Sequence, residues 1–323
     1  MRLPICLLLL LTCAQVNAQQ YDGPIIDVHL HVGPAAPGAP NPATGKPTTA
    51  NTDAQREAMT LERMRRHGIV LGLVSGPDAA MASMRRAGGD SIQAGAFLDD
   101  GRTPLPPPEV LRGAFERGEL QVMGEIAAQY HGLDPADAWF EPYLALAEEF
   151  DIPVGLHTGL APPGAAYGCC PEFRIDLGNP LRLEPMLKRH PKLRVWLMHA
   201  GWPFLQETKA LLYMYPQVHA DLSVVNWIIP REEFHEYLQA LVQAGFTDRL
   251  MFGSDQMVWP EAITLAVEGV DSAAFLTTAQ KRAIFHDNAA RFLRLDGEPQ
   301  WNGTQQADLD DDARGETALP RDR

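Results

Sequence analysis

The chain has 323 residues, 46% of them hydrophobic, and 41 acidic against 27 basic side chains give it a net charge of −14. The acidic balance argues against a nucleic-acid partner, and the hydrophobic content against a disordered or fibrous chain. After the N-terminus no apolar run approaches the ~20 residues of a membrane span.

Residues 1–18 read as a secretory signal, with Arg2 near the start, an apolar run over 5–11 and a small-residue cleavage site at Val16-Asn17-Ala18. The expected location is therefore the periplasm or the outside of the cell. Of the four cysteines, Cys6 and Cys13 fall in this signal. The mature chain keeps Cys169 and Cys170, which could close a ring disulfide or stay as two thiols. One adjacent pair cannot staple a fold, so the core must hold it.

From Pro24 onward, short apolar runs alternate with helical patterns. Eight runs read as strands: 25–30, 69–75, 92–98, 120–126, 152–157, 193–199, 218–223 and 249–254. Amphipathic stretches lie between them, including 61–66, 139–150, 181–190, 205–213 and 232–244. Near-continuous apolar strands, each followed by a helix, predict a parallel sheet covered on its faces. Eight such units predict a single-domain α/β fold, a closed (β/α)8 TIM barrel over residues 19–295. No Gly-rich phosphate loop follows the first strand, which excludes a dinucleotide-binding sheet. Two Pro- and Gly-rich loops, 33–51 and 158–179, leave strand ends where barrel enzymes build their sites. A closing helix is predicted over 277–295. The acidic segment 296–323, with eight acids against three bases, reads as a disordered tail.

Polar residues gather at the predicted strand ends. Asp27-Val28-His29-Leu30-His31 closes strand one, and alternation puts His29 and His31 on one face, where both could reach a single divalent ion. Asp27, on that face one layer deeper, could orient a ligand histidine through its second nitrogen. His157, His199 and Asp255 end strands five, six and eight, each directly after an apolar run. Buried together at a barrel mouth, they would be costly without a metal or partners. Ser75 ends strand two with no base placed to activate it, which disfavours a serine hydrolase.

With these motifs the sequence resembles the amidohydrolase-related family of metal-dependent barrel hydrolases, in the branch with aminocarboxymuconate-semialdehyde decarboxylase. The resemblance runs from Pro24 to Leu295. It rests on Asp27-x-His29-x-His31, His157-Thr158-Gly159, His199-Ala200-Gly201, Phe252-Gly253-Ser254-Asp255 with Pro260, and Asn288-Ala289-Ala290-Arg291-Phe292-Leu293. It implies a metal held by His29, His31, His157 and Asp255, with His199 bonding the water or substrate and moving protons. In some binuclear relatives the histidine of strand six is itself a ligand. Glu125 ends strand four where many members carry a modified lysine. No lysine stands in this strand, so one ion is expected rather than a carbamate-bridged pair, and Glu125 could bind the metal or act as a base. A His/Asp shell suits zinc first, with manganese, iron or cobalt as alternatives.

The expected reaction is hydrolysis of a small amide, lactone or ester, with Asp255, His199 and Glu125 as the catalytic groups. The resemblance supports non-oxidative decarboxylation or hydration equally, and a binding barrel that has lost catalysis is the reading from another class. Arg174, in the strand-five loop, could clamp a substrate carboxylate, and Tyr130, His131 and Trp202 could line the pocket. The expected partner is a small molecule, with no membrane span after signal removal; a homo-oligomer is compatible with the sequence.

Overall fold

A computed structural model describes residues 20–98 and 106–295. The predicted signal and acidic tail lie outside the described residues. Eight parallel strands run in sequential order: β1 (Ile25–His31), β2 (Ile69–Ser75), β3 (Ile92–Leu98), β4 (Val122–Ile126), β5 (Val154–His157), β6 (Val195–Met198), β7 (Val218–Asp221) and β8 (Leu250–Met251). Beyond β8 the chain stays against β1. Val28 N–H donates to Phe252 O at 3.0 Å and Asp255 N–H to His29 O at 2.7 Å, which closes the ring. The predicted (β/α)8 barrel is the observed fold.

The helices cover the outside: α1 (Asp53–Arg66), α2 (Asp78–Gly88), α3 (Pro108–Glu116), α4 (Glu141–Glu149), α5 (Glu184–Arg189), α6 (Leu205–Met214), a short α7 (Val225–Ile228), α8 (Arg231–Gln243) and α9 (Ala262–Asp271). Local chemistry sets their ends. Thr52 caps α1 by accepting from Gln55 N–H, Asp53 stands in its first turn, and Arg63, Arg65 and Arg66 stand in its last. The single closing helix expected over 277–295 is instead α10 (Thr278–Arg282) and α11 (Asn288–Leu293), joined by a π-helical stretch (Ala283–Asp287). A Thr277–Gln280 capping box starts it.

Two apolar layers result. The larger packs the outer strand faces against the helices. The smaller fills the barrel interior with Ile26, Val28, Leu71, Leu73, Val122, Trp196 and Met251, and α11 closes it with Ala289 and Phe292. Phe292 stands at the N-terminal strand ends, where its carbonyl accepts from Arg194. The opposite end is left for polar groups.

Candidate metal centre

Five strand ends bring six titratable side chains together at the barrel mouth. His29 and His31 come from β1, Glu125 from β4 and His157 from the end of β5. His199 and Asp255 follow β6 and β8 in left-handed backbone, at φ of 62° and 45°. That conformation is costly for residues with a Cβ, and it turns both side chains off the strand line into the mouth. Gly253 leaves room for His29 and Ser223, since a Cβ there would come within 2.9 Å of His29 Cβ and 3.0 Å of Ser223 Cβ.

The distances are those of one cluster. His29 Nε2 lies 3.2 Å from His31 Nε2. Glu125 Oε2 is 3.1 Å from His31 Nε2 and 3.5 Å from His29 Nε2. Its other oxygen is 2.7 Å from His157 Nδ1 and 3.7 Å from His199 Nε2. Asp255 Oδ1 is 3.1 Å from His31 Nε2, is buried, and makes no hydrogen bond.

The tautomers follow from acceptors that cannot donate. His199 Nδ1 is 3.2 Å from the Ser223 carbonyl, so it carries the proton and leaves Nε2 as a lone pair facing the cluster. His157 has an acceptor on each side, Glu125 Oε1 at 2.7 Å from Nδ1 and Leu160 O at 3.3 Å from Nε2, so a cation beside Glu125 would take the Nδ1 lone pair and leave the proton to Leu160 O. His29 Nδ1 faces Asp221 Oδ2 at 3.3 Å and Ser223 Oγ at 2.9 Å, which again leaves Nε2 for the cluster. Acceptor atoms therefore point at one another from several directions. Such a set needs shared protons or a cation, and its mixed nitrogen and oxygen donors fit a divalent transition metal. Three overlapping trios could hold one: His29, His199 and Asp255; His29, His31 and Glu125; and Glu125, His157 and His199.

The electrostatics agree. Burial pushes the Glu125 carboxyl up, but the surrounding His157, His199, His29 and His31 outweigh it and hold it well below the usual range. Burial likewise raises Asp255, and His29 and His31 overcome it, so its pKa is lowered. Burial pulls His29 down, and Asp255, Asp221 and Glu125 reverse this to a raised value. His157 is lowered, chiefly by burial. Both carboxylates are thus held ionised among the imidazoles, as ligands of a cation should be.

Asp27 corrects one expectation. The register slips between Asp27 and Leu30, so simple alternation does not carry from one to the other. Asp27 Oδ1 accepts from the backbone of His29 and of Ser254, at 3.1 and 2.9 Å, and burial raises its pKa to about 7. The groups on a histidine's second nitrogen are Asp221 and Ser223, which the sequence reading passed over. Asp221 Oδ1 accepts from Ser223 Oγ at 2.5 Å and from His199 N–H at 2.9 Å, and Oδ2 accepts from Trp196 Nε1 at 3.2 Å. Gln256 was also missed. Its side chain accepts from His31 N–H at 3.0 Å and donates to His31 O at 2.7 Å, tying the end of β1 to the loop after β8.

Four of the six, His31, Glu125, His157 and Asp255, floor an open cavity of about 440 Å³. Both long loops reach it, through Val32–Pro34 and through Pro162 and Cys169. Tyr130 lines it, with its ring edge-on to His157 at 5.0 Å. Arg174 does not. It is exposed beside Asp176, 3.4 Å away, and is absent from the lining. Trp202 turns outward, where Nε1 donates to Glu233 at 3.2 Å, and His131 also lies off the lining. His67, His190 and His235 bond Thr264, Glu141 with Glu148, and the Gly269 carbonyl, all away from the mouth.

Comparison with known proteins agrees with this arrangement. A stretch of 114 residues is 26% identical to Protein fluG of Emericella nidulans; it is 35% of this chain and spans only 12% of that protein. Among solved structures, a probable 2-pyrone-4,6-dicarboxylic acid hydrolase from Acinetobacter baumannii, with citric acid bound, aligns with a TM-score of 0.59 and 16% identity over 84% of this chain and 99% of that one. A 5-carboxyvanillate decarboxylase from Novosphingobium aromaticivorans, with manganese bound, aligns with a TM-score of 0.54 and 16% identity, over 73% of this chain and 80% of that one. These likenesses show the shared barrel. The amidohydrolase family model matches residues 26–295, the whole barrel with its mouth cluster, and the chain therefore belongs to the amidohydrolase family.

Proposed function

We propose that this chain is an exported metal-dependent hydrolase of a small lactone, ester or amide. The observation that carries the reading is the convergence of six metal-ligating side chains, four buried and two partly buried, from five strand ends at the barrel mouth, four of them on the floor of an open cavity. His29, His31, His157 and Asp255 would hold the ion, zinc in the first instance, with Glu125 joining them from between the imidazoles. Bound there, the ion would supply water activation near neutral pH and polarisation of the substrate carbonyl. Asp255, whose Oδ1 has no hydrogen bond, takes the proton of the attacking water. His199, with its Nε2 lone pair held toward the cluster, accepts that proton from Asp255 and passes it to the leaving group. Export rests on the signal-like residues 1–18 alone.

The test is a screen of purified, metal-assayed protein against lactones, esters, amides and aromatic acids in ¹⁸O-labelled water. Turnover that depends on metal and places one ¹⁸O in the product is the expected result. Carbon dioxide release without incorporated ¹⁸O would replace the reading with decarboxylation, the activity named for one structural neighbour.

A further inference from the structure

One wall of the cavity has no part in this chemistry. Cys169 and Cys170 are joined by a disulfide between adjacent residues. Cys170 is buried and its N–H donates to Ala165 O at 3.0 Å, while Cys169 lines the cavity. The pair is thus anchored against Ala165, whose carbonyl also lies 3.9 Å from Cys169 Sγ, and Cys169 brings it to the cavity edge. Sulfur is polarisable and packs well against aromatic rings. The wall continues through Pro162 and Tyr130, whose ring lies 5.3 Å from that of Phe173 in the same loop. Phe97 faces the cavity too, edge-on to His31 at 5.8 Å.

Charge is distributed unevenly between walls and floor. Glu125 and Asp255 lie on the floor, where the ion would engage them. Arg56 is the one Lys or Arg among the described lining residues, and its donors are turned to the backbone. Nη1 donates to Pro34 O at 3.2 Å, and Nη2 to His31 O at 3.0 Å and to Met257 O. Its Nε is shut off from solvent. Arg56 therefore clamps the loops after β1 and β8 and is not presented as a carboxylate fork.

We propose that the Cys169–Cys170 disulfide is the specificity wall of the cavity, and that the substrate is an uncharged lactone or ester whose ring lies against it. This class differs in charge from the dicarboxylic acid named for the Acinetobacter neighbour. The reaction rests on the hydrolase reading, whereas the binding does not.

Calorimetric titration of the zinc-loaded full chain separates the two. The probes are 4-chromanone, an uncharged bicyclic ketone with no hydrolysable bond, and isophthalate, a ring with two carboxylates. Chromanone should bind at least ~10-fold more tightly. Without reductant, the denatured protein should take up no iodoacetamide at Cys169 and Cys170; after phosphine reduction it should take up two equivalents. Reduction, and separately the Cys169→Ser/Cys170→Ser variant, should weaken chromanone binding by roughly 3-fold or more with zinc content unchanged. If the double variant fails to fold, reduction and reoxidation of the native chain carry the same comparison. Tighter isophthalate binding, labelling without reductant, or an unchanged chromanone affinity after reduction would each overturn the proposal. Dihydrocoumarin supplies the remaining arm. Chromanone binding that responds to reduction, without any opening of dihydrocoumarin, would support the wall and count against hydrolysis. Dihydrocoumarin turnover with binding indifferent to charge and reduction would remove the wall alone.

Discussion

The two ends of the barrel are built on opposite principles. At the N-terminal strand ends, Ile26, Leu71, Val122, Trp196 and Met251 pack with Phe292 of α11 into a dry plug. At the C-terminal ends, six ionisable groups, four buried and two partly buried, are clustered in overlapping trios. Apolar burial at the first end is favourable by roughly 1.5–3 kcal/mol for each large side chain. Unpaired polar burial at the second costs of the order of 1–3 kcal/mol per group, more for a charge. The lesson is that stability and chemistry are separated along the strand axis, so substitutions at the two ends should fail in different ways.

His157→Ala should show the largest effect and the sharpest form of that separation. It removes one of the four proposed ligands. Activity should fall by at least about a thousandfold, in line with the several kcal/mol a catalytic metal supplies. Bound metal, measured by mass spectrometry, should drop well below one per chain, while the far-UV circular dichroism keeps its shape. Retained metal and activity would mean that the cluster is misassigned.

Phe292→Ala is the counterpart at the other end. Truncating a buried phenylalanine should cost about 3–5 kcal/mol in denaturant unfolding. The protein that remains folded should bind metal as before. Loss of metal at full helical content would show that the plug and the mouth are one unit, and would break the comparison.

How much of this was readable in the sequence follows the same division. β2 and β3 occupy the residues their apolar runs predict, because core burial and strand pattern agree there. β8 was expected over 249–254 and spans Leu250–Met251. Beyond it, Phe252 N–H turns to Ile284 O, and Asp255 takes a left-handed conformation that no hydropathy pattern encodes. His157, His199 and Asp255 were legible because each directly follows an apolar run, and His29 with His31 because of their spacing. Asp221 and Ser223 were not, since Asp221-Leu222-Ser223 resembles any polar strand exit and reaches His29 only once the barrel closes. Arg56 and Gln256 escaped for a related reason, because each acts on backbone carbonyls brought close by the fold.

Asp221 and Ser223 also mark where one end of the barrel gives way to the other. Asp221 takes a hydrogen bond from Trp196 of the plug layer and lies against His29 of the cluster. Ser223 Oγ donates to Asp221, and its lone pairs face Nδ1 of His29 at 2.9 Å and Nδ1 of His199 at 3.0 Å. One hydroxyl thus helps fix the tautomer of a proposed ligand and of the proposed proton carrier. Ser223→Ala leaves Asp221 and the Ser223 carbonyl as alternative acceptors, so the effect should be smaller than that of His157→Ala. Metal affinity should weaken by about 10–100-fold in chelator competition, the usual cost of losing a partner behind a ligand histidine. Unfolding free energy should change little by comparison with Phe292→Ala. The ¹⁵N shifts of the His29 and His199 rings should move toward tautomer averaging, and Ser223→Thr should restore both affinity and shifts. A loss of stability matching that of Phe292→Ala, with ring shifts unchanged, would place Ser223 in the plug and move the boundary up to the histidines themselves.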